Sequence, residues 1–298
     1  MRVTEPQISS PGPSDFPIQN PKSTSPVILP PMDISLIGKR ALVCGSTQGI
    51  GRAAAIELAS LGASVTLVAR NPERLDAVRK ELPSSNGARQ THRWFAADFA
   101  DPNAVQEAIR TELGHASVAG PYTILINNTG GPAGGPIADA SPEAFVAAFR
   151  SHLVCNQLLV QALLPGMKAA SYGRIINIIS TSVKAPIPGL GVSNTIRAAV
   201  ANWAKTLATE LAPFGITVNN VLPGFTDTER LKQLFTARAT KENKSLEEVT
   251  KAAIGTIPAG RLGRAEEVAA AIAFLATPAA AYINGINVPV DGGRTQSL

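Results

Sequence analysis

Three glycines in a short segment carry the clearest chemical signal in this sequence. Gly45, Gly49 and Gly51 follow an apolar run at 41–43 and precede a stretch of helical character at 52–61. Because glycine has no Cβ, the backbone can turn tightly and approach a ligand here, and the amides of the following helix then face that ligand. The pattern predicts a cradle for the diphosphate of a dinucleotide, made by Gly45, Ser46, Thr47, Gln48, Gly49, Ile50 and Gly51.

The residue that ends the next strand-like run indicates which dinucleotide is bound. The run 65–69 is followed by Arg70. An acidic residue there would accept a hydrogen bond from the adenosine ribose and repel a 2′-phosphate, whereas a guanidinium binds that phosphate through two parallel charge-assisted hydrogen bonds. The sequence therefore predicts a preference for NADP(H) over NAD(H). Two alternatives are that Arg70 caps the strand in solvent, or that Arg52 or Ser46 contributes instead.

The composition indicates one large α/β domain. The chain has 298 residues, of which 45% are hydrophobic, which is ample for a sizeable core. Its two cysteines are too few and too scattered for a disulfide framework or a metal site, so we expect no metal and a reducing compartment. No apolar stretch approaches the ~20 residues of a membrane span, and no secretory signal is evident, which predicts a cytoplasmic protein with no membrane partner. The net charge of +5 favours anionic ligands, but without a basic block we expect no nucleic-acid partner.

The first 33 residues differ from the rest of the chain. They contain eight prolines, separated by Ser, Asn and Gln, with little apolar periodicity. Proline at this density prevents helices and discourages sheet pairing, so residues 1–33 are expected to form an extended or disordered arm. Residues 34–298 are expected to form the domain.

Strand-like and helix-like segments alternate through that domain. Strands are predicted near 40–45, 63–69, 91–97, 122–128, 173–180, 215–221 and 286–290, and helices near 50–61, 72–82, 102–113, 142–170, 192–212, 227–238 and 265–276. Such alternation is typical of a single doubly wound (Rossmann) α/β domain, here a seven-stranded parallel sheet with helices on both faces. The ligand crevice of such a sheet lies outside the carboxyl ends of the strands, so the loop 130–136 should border the site.

Several further motifs at compatible positions give the chain a family resemblance. From about residue 34 to 293 it resembles the short-chain dehydrogenase/reductases, as a divergent member similar to the 3-oxoacyl-[acyl-carrier-protein] reductases. The motifs that carry the resemblance are the glycine segment, Asp98, the run Asn127-Asn128-Thr129-Gly130, Pro223-Gly224, Thr228, Gly285 and Asp291-Gly292-Gly293. It implies that Asp98 and Phe99 lie near the adenine, Asn128, Thr129 and Gly130 beside the cofactor, and Pro223, Gly224 and Thr228 at the nicotinamide end. Taken singly, these residues are also typical of a helix cap, turn formers and a strand end.

The resemblance also locates the catalytic positions, where the residue types depart from the family. Reductases of the family use a Ser, a Tyr, a Lys four residues after the Tyr, and an Asn from the preceding long helix. The corresponding residues here are Ser180, Ser193, Arg197 and His152. A serine hydroxyl is a far weaker acid than a phenol, and arginine stays protonated, so Arg197 can bind the cofactor ribose or stabilise an oxyanion but cannot relay protons.

Any turnover therefore requires another proton donor. Lys184 is one candidate, because partial desolvation beside Arg197 would lower the pKa of its ammonium. His152 is the other, since an ordinary imidazole pKa near ~6.5 suits acid-base work. Each residue also has a structural interpretation, Lys184 as an exposed loop charge and His152 as a hydrogen-bonded helix residue.

Two functions remain open at this stage. The first is an NADP(H)-dependent oxidoreductase that transfers hydride between nicotinamide and a ketone, a 3-oxoacyl compound or a secondary alcohol. The second is a dinucleotide-binding protein with little or no catalysis, acting as a regulatory subunit, scaffold or sensor. The resemblance further implies a homodimer or homotetramer, formed through the long helices near 142–170 and 192–212. The segment 226–257, which covers the substrate in the family, has no signature of a particular substrate.

Overall fold

The computed structural model describes residues 31–84, 89–116 and 120–297, so the predicted arm at 1–33 falls almost entirely outside the described residues. Within these ranges the strands form one parallel sheet in the order β3-β2-β1-β4-β5-β6-β7. The strands are β1 (Arg40–Cys44), β2 (Ser64–Ala69), β3 (Arg93–Ala96), β4 (Ile124–Asn127), β5 (Gly173–Ile178), β6 (Ile216–Pro223) and β7 (Asn287–Val290). The predicted seven-stranded parallel sheet is therefore confirmed.

Helices cover both faces of the sheet, as predicted. They are α1 (Gly49–Ser60), α2 (Pro72–Glu81), α3 (Pro102–Ala116), α4 (Pro142–Phe149), α5 (Cys155–Ala169), α6 (Gly191–Leu211), α7 (Glu229–Glu242), α8 (Leu246–Ile254) and α9 (Ala265–Leu275). Alternate residues of a strand point to opposite faces, so Ala41 and Val43 of β1 join a core with α1 and α9, whereas Leu42 and Cys44 join a core with α3, α5 and α6. Cys44 and Cys155 are both buried free thiols in the second core.

The structure differs from the predicted helices in two places. The helix predicted at 142–170 is interrupted by a π-helical segment, Arg150–Val154, between α4 and α5. Helix α8 was not predicted, although five of its nine residues are apolar and its start signal is local. Asn243 ends α7 in the left-handed region with φ of 51°, and Ser245 then forms a capping box with Glu248 that starts α8.

Helices α7 and α8 form a small layer of their own after β6. Their apolar sides share a separate cluster that includes Leu231, Phe235 and Val249, with Phe225 and Leu262 packed against it. This layer lies in the segment that the family resemblance assigns to substrate covering. Its helical order means that side chains of α7 have defined positions relative to the sheet.

A ladder of asparagine amides crosses four neighbouring strands. Asn127 of β4 donates to Asn177 of β5 at 2.8 Å, Asn177 donates to Asn220 of β6 at 2.9 Å, and Asn220 donates to Asn287 of β7 at 2.8 Å. Each pair is also directly opposed in the register of the sheet. A one-residue slip of any strand would move its amide to the other face and break the ladder, so the ladder helps to fix the register.

We expect Asn177→Ala to lower the free energy of unfolding by about 2–4 kcal/mol, because it leaves the buried amide groups of Asn127 and Asn220 without partners. Urea denaturation measures the change. Asn287→Ala is the matched control, since Asn287 is exposed at the edge strand and water can replace it; its expected loss is below about 1 kcal/mol. Equal losses in the two variants would contradict a structural role for the ladder.

Candidate active site

The crevice lies at the place where the strand order reverses. β1 pairs with β2 on one side and with β4 on the other, so the segments that follow β1 and β4 diverge. Asn128, directly after β4, donates from Nδ2 to the Gly45 carbonyl at 3.3 Å. A Cβ on Gly45 would lie 2.6 Å from that Nδ2, and a Cβ on Gly51 would lie 2.2 Å from the Gly45 carbonyl oxygen. The turn can therefore close against Asn128 only with glycine at both positions.

The N-terminus of α1 opens into this crevice without a cap of its own. Its N-cap residue, Gln48, makes no side-chain hydrogen bond, and the first turn contains no acidic residue. A Cβ on Gly49 would lie 3.2 Å from Cγ2 of Thr228, so the segment after β6 lies against the turn. Unpartnered amides and the positive end of the helix dipole suit an anion such as a diphosphate. The residues present thus fit the predicted dinucleotide.

Of the three candidates for binding a 2′-phosphate, Arg70 has the available side chain. The buried Ser46 hydroxyl is already bonded to β2, donating to the Val68 carbonyl at 3.3 Å and accepting from its amide at 3.0 Å. The Arg52 guanidinium pairs with Glu81 of α2, at 3.0 Å from Nε. Arg70 is exposed at the carboxyl end of β2, and no partner of its side chain occurs in the described part of the chain.

Asp98 and Phe99 follow β3 at the same edge of the sheet. The exposed carboxylate of Asp98 accepts from the amide of Ala100 at 3.0 Å. The cap of α3 is instead Asp101, whose carboxylate accepts from two amides of the first turn. The Phe99 side chain is buried in the core with α3 and α5, so a ligand can reach only its backbone.

The residues predicted at the nicotinamide end have partly structural contacts. Thr129 is half-buried and Gly130 exposed after β4, and Pro223 ends β6. A Cβ on Gly224 would lie 2.6 Å from Cβ of Asp291, which explains the glycine by close approach of two loops. The Thr228 hydroxyl caps α7 by accepting from the Leu231 amide at 3.3 Å, and it donates to the Thr226 carbonyl at 3.2 Å.

Ser180 and Ser193 both present half-buried hydroxyls near the carboxyl end of β5. Ser180 Oγ accepts from the Ser182 amide at 3.1 Å, which leaves its hydroxyl hydrogen free to donate. Ser193 lies in the first turn of α6, and its hydroxyl has no partner among the described residues. The loop 130–136 borders this region as predicted, since the Gly135 amide donates to the Gly189 carbonyl at 2.7 Å just before α6.

Arg197 holds a charge in the interior of the protein. Its side chain is 9% exposed, Nη1 donates to the Ile178 carbonyl at 2.7 Å, and Nε has no partner among the described residues. Burial, with a smaller contribution from the nearby charge of Arg230, lowers the pKa of Arg197 to about 10. The guanidinium therefore stays protonated at neutral pH, and its unused N–H groups are available to an acceptor.

The pKa of His152 is far from the ordinary imidazole value near ~6.5 on which its candidacy as proton donor depended. It lies in the π-helical segment and is 3% exposed. Burial, and to a lesser degree the charge of Arg197, lowers the pKa of His152 to about 2, although a hydrogen bond to the backbone of Gly130 opposes the shift. The imidazole is thus neutral at physiological pH. Its Nε2 is buried with no partner in the described chain, which makes it an acceptor for a bound hydroxyl or water.

No hydrogen bond or ion pair of the Lys184 side chain occurs among the described residues, and its role as proton donor stays a prediction. Lys184 is half-buried at the end of a short 3₁₀ turn, Thr181–Val183, that begins after Ser180. The cation that acts on Arg197 is Arg230. The three tyrosines lie away from this site. Tyr122, Tyr172 and Tyr282 precede the amino ends of β4, β5 and β7, whereas the site borders the carboxyl ends of the strands.

Arg230 is a site residue that the sequence did not reveal. It lies in the first turn of α7, and its Nη2 donates to the Gly131 carbonyl at 3.2 Å and the Pro132 carbonyl at 2.8 Å. This contact joins the α7 layer to the loop after β4. It depends on two segments about a hundred residues apart in the chain, so no local pattern indicates it.

Fold and crevice together define a dinucleotide-binding protein of the doubly wound class. A family model described as enoyl-(acyl carrier protein) reductase matches residues 45–295. With the relatives described next, this match identifies the protein as belonging to the short-chain dehydrogenase/reductase family. None of the described helices is long and apolar enough to cross a membrane, and no group of metal-ligating side chains occurs among the described residues.

The relatives named here are reductases, and the match covers almost the whole length of each of them. The NADPH-dependent reductase BacG of Bacillus subtilis is 31% identical, over 87% of this chain and 99% of its own. The 3-oxoacyl-[acyl-carrier-protein] reductase FabG of Pseudomonas aeruginosa is 34% identical, over 89% of this chain and 100% of its own. Among solved structures, L-sorbose reductase from Gluconobacter frateurii, complexed with NADPH and L-sorbose, superimposes with a TM-score of 0.81 at 29% identity, over 90% of this chain and 100% of its own.

The lowered pKa of His152 predicts an acid-sensitive fold. The unfolded chain takes up a proton at this residue below about pH 6.5, whereas the folded protein does so only near pH 2, so stability falls with pH at up to about 1.4 kcal/mol per unit below 6.5. Between pH 7 and pH 5, we expect wild type to lose about 2 kcal/mol that His152→Asn does not lose. Urea denaturation at both pH values measures this. His115→Asn, at an exposed histidine, is the control; an NMR titration of His152 with a midpoint near 6.5 would overturn the assignment.

Proposed function

We propose that this protein is an NADP(H)-dependent oxidoreductase that interconverts a ketone or 3-oxoacyl compound and the corresponding secondary alcohol. The reaction consumes one carbonyl compound, one NADPH and one proton, and yields the alcohol and NADP⁺. The observation that carries the proposal is that an uncapped helix N-terminus and a group of hydroxyl and guanidinium donors open on the same edge of the sheet. The relatives named above, which are reductases, support it.

The cofactor would be held along the carboxyl ends of β1, β2 and β4. The amides at the start of α1 would bind the diphosphate, and Arg70 the 2′-phosphate. The preference for NADP(H) is supported by BacG, which is NADPH-dependent by name, and by the sorbose reductase complexed with NADPH. When bound, NADPH supplies the hydride, and the protein's own residues orient the carbonyl and handle the proton.

Ser180 and Ser193 would bind the carbonyl oxygen, since each has a hydroxyl hydrogen that is not used within the described protein. Negative charge grows on that oxygen as the hydride arrives, and a fixed cation in a dry site stabilises such charge strongly. Arg197, one helical turn beyond Ser193, would supply that cation. The site thus offers electrophilic stabilisation in place of the phenol of the family.

The proton would come from a group other than His152. Because its imidazole is neutral, His152 would accept a hydrogen bond from the product hydroxyl or from a water molecule. Lys184, at the end of the turn that begins at Ser180, remains the candidate donor. The second reading, a dinucleotide-binding protein without catalysis, is not favoured, because the relatives are oxidoreductases.

We further propose that the protein acts as a homodimer or homotetramer in the cytoplasm. α5 and α6, the helices that the family uses for assembly, are joined by a hydrogen bond from Trp203 Nε1 to Gln157 Oε1 at 2.8 Å. This contact would hold the two helices as one surface for a second copy. Light scattering after size-exclusion chromatography tests the state, and a mass of one chain would refute it.

For Arg70→Ala we expect the Kd for NADPH to rise by about 10- to 100-fold, while the Kd for NADH changes little, because a charge-assisted pair to phosphate contributes about 1.5–3 kcal/mol. Isothermal calorimetry measures both constants. Arg74→Ala is the matched control, since Arg74 is an exposed arginine of α2. A parallel loss for both cofactors would argue against recognition of the 2′-phosphate.

Turnover distinguishes the enzyme from the non-catalytic binder. In a panel of ketones with NADPH, we expect Ser180→Ala to lower kcat by about 10- to 1000-fold, because it removes a donor to the developing oxyanion. Lys184→Met is expected to lower kcat and to change its pH profile. If tight NADPH binding came with no turnover of any carbonyl, the protein would be a binder. If Lys184→Met and His152→Asn both kept wild-type turnover, the roles given to these two residues would be wrong.

A further inference from the structure

Two guanidinium groups converge on one small region of the crevice. A Cβ built on Gly131 would lie 3.4 Å from Nη2 of Arg230 and 3.8 Å from Nη2 of Arg197. Both guanidiniums therefore lie beside Gly131. The two cations repel each other, as the effect of Arg230 on the pKa of Arg197 indicates.

Neither arginine is paired with an acidic side chain of the described residues. No salt bridge of Arg197 or Arg230 occurs within the described ranges, and the acceptors they contact are the carbonyls of Ile178, Gly131 and Pro132. A guanidinium has five N–H donors, so each group keeps several without a protein partner. Two nitrogens of this region, Nε of Arg197 and Nε2 of His152, are buried and have no partner in the described part of the chain.

Arg40 and Arg174, the other buried arginines among the described residues, each have several partners. Arg40 lies 3.7 Å from the Glu112 carboxylate and stacks over the Tyr122 ring. Arg174 donates to the carbonyls of Thr277, Gly173 and Gly215, and it stacks on Tyr172. A buried cation without such partners is costly, because burial removes its water without replacing it. Arg197 differs from these two arginines in two respects: its Nε is buried without a partner among the described residues, and a second cation, the half-buried Arg230, lies close enough to affect its pKa.

We propose that Arg197 and Arg230 together bind a carboxylate of the substrate, so that the substrate is a 2- or 3-oxo acid or the matching hydroxy acid. The inference rests on the proposed function and narrows its substrates. Arg197 lies one helical turn from Ser193, which would hold the carbonyl oxygen, so the carboxylate must be one or two carbons from the reacting carbon. Two planar forks match a carboxylate through parallel hydrogen bonds.

Arg230 would have two roles: it holds the loop after β4, and it would select substrates that carry a carboxylate. Its Nη2 already binds the loop after β4, and its remaining N–H groups would bind the carboxylate without releasing that loop. A neutral ketone would leave both guanidiniums without an anion in the crevice. Discrimination in favour of the oxo acid follows from this penalty, since a site built for a polar group rejects analogues that lack it.

The test compares Arg230→Met, Arg230→Lys and Arg238→Met in the full-length protein. Arg238 is the matched control, because it is an exposed arginine of the same helix that pairs with Glu242. Calorimetry with oxalate, with and without NADPH, gives a readout that needs no turnover. We expect wild type and Arg238→Met to bind oxalate within twofold of each other, Arg230→Met to bind it at least tenfold more weakly, and Arg230→Lys to fall between them.

Steady-state kinetics with a charged substrate and its neutral ester form the second part of the test. We expect wild type to reduce 2-oxobutyrate with a higher kcat/KM than its methyl ester, and Arg230→Met to reduce that ratio at least tenfold, mainly through KM. If Arg230→Met lost part of the fold, as thermal unfolding would reveal, Arg230→Lys carries the comparison. A ratio near one in wild type, or oxalate binding that Arg230→Met and Arg230→Lys leave unchanged, would overturn the inference.

The carboxylate site and the proposed oxidoreductase function can be refuted independently of each other. If neutral ketones were reduced well but oxalate did not bind, the carboxylate site would be wrong and the oxidoreductase would stand. If oxalate bound through Arg230 but NADPH neither bound nor supported turnover, the carboxylate site would stand and the proposed function would be wrong. If Arg197→Met abolished oxalate binding while the Arg230 variants left it unchanged, the two-arginine site would be overturned, and Arg197 alone would bind the carboxylate.

Discussion

The register of the four strands on one side of the sheet is the constraint on which the crevice depends. Side chains that act together in this protein come from the ends of β4, β5 and β6, and the amide ladder through Asn127, Asn177 and Asn220 lies directly beneath those ends. Parallel strands have uniform backbone pairing, which does little to distinguish one register from the next. Specific amide pairs supply that distinction. The positions of Asn128 and of Ser180, each a few residues beyond a ladder amide, are thus defined by the sheet.

The site at these strand ends combines backbone contacts typical of the family with different residue types at the catalytic positions. The glycine turn, Asn128 and the loop at Asp291 retain close backbone approaches that only small residues permit. At the positions that the family resemblance assigns to catalysis, a hydroxyl, a guanidinium and an imidazole stand where the family has a phenol, an ammonium and an amide. The exchange removes the strongest proton donor and keeps a single positive charge, now on a guanidinium that cannot give up its proton at neutral pH. A site of this composition would lower the barrier to hydride transfer by stabilising the oxyanion, and a separate group would donate the proton.

The sequence predicted the sheet, both helical layers and the cradle, because each depends on local patterns of apolar and glycine residues. It placed Ser180, Ser193 and Arg197 only through family resemblance, and it assumed for His152 the pKa of a solvated imidazole. Burial in the π-helical segment changed that pKa, and burial is a property of the fold. Arg230 was missed for the same reason, since its partner lies about a hundred residues earlier in the chain. The short helix α8 was missed because its capping box was not considered.

Two facing guanidiniums also make this crevice sensitive to its medium. Small oxyanions of common buffers, such as phosphate and sulfate, have the geometry that arginine forks bind, so they would compete for the same N–H groups. Added salt also weakens attraction over distances beyond the Debye length, about 8 Å at physiological ionic strength. Affinities for charged compounds would therefore decrease with ionic strength, and a non-coordinating buffer of low salt is the medium in which the intrinsic preference of this pocket can be seen.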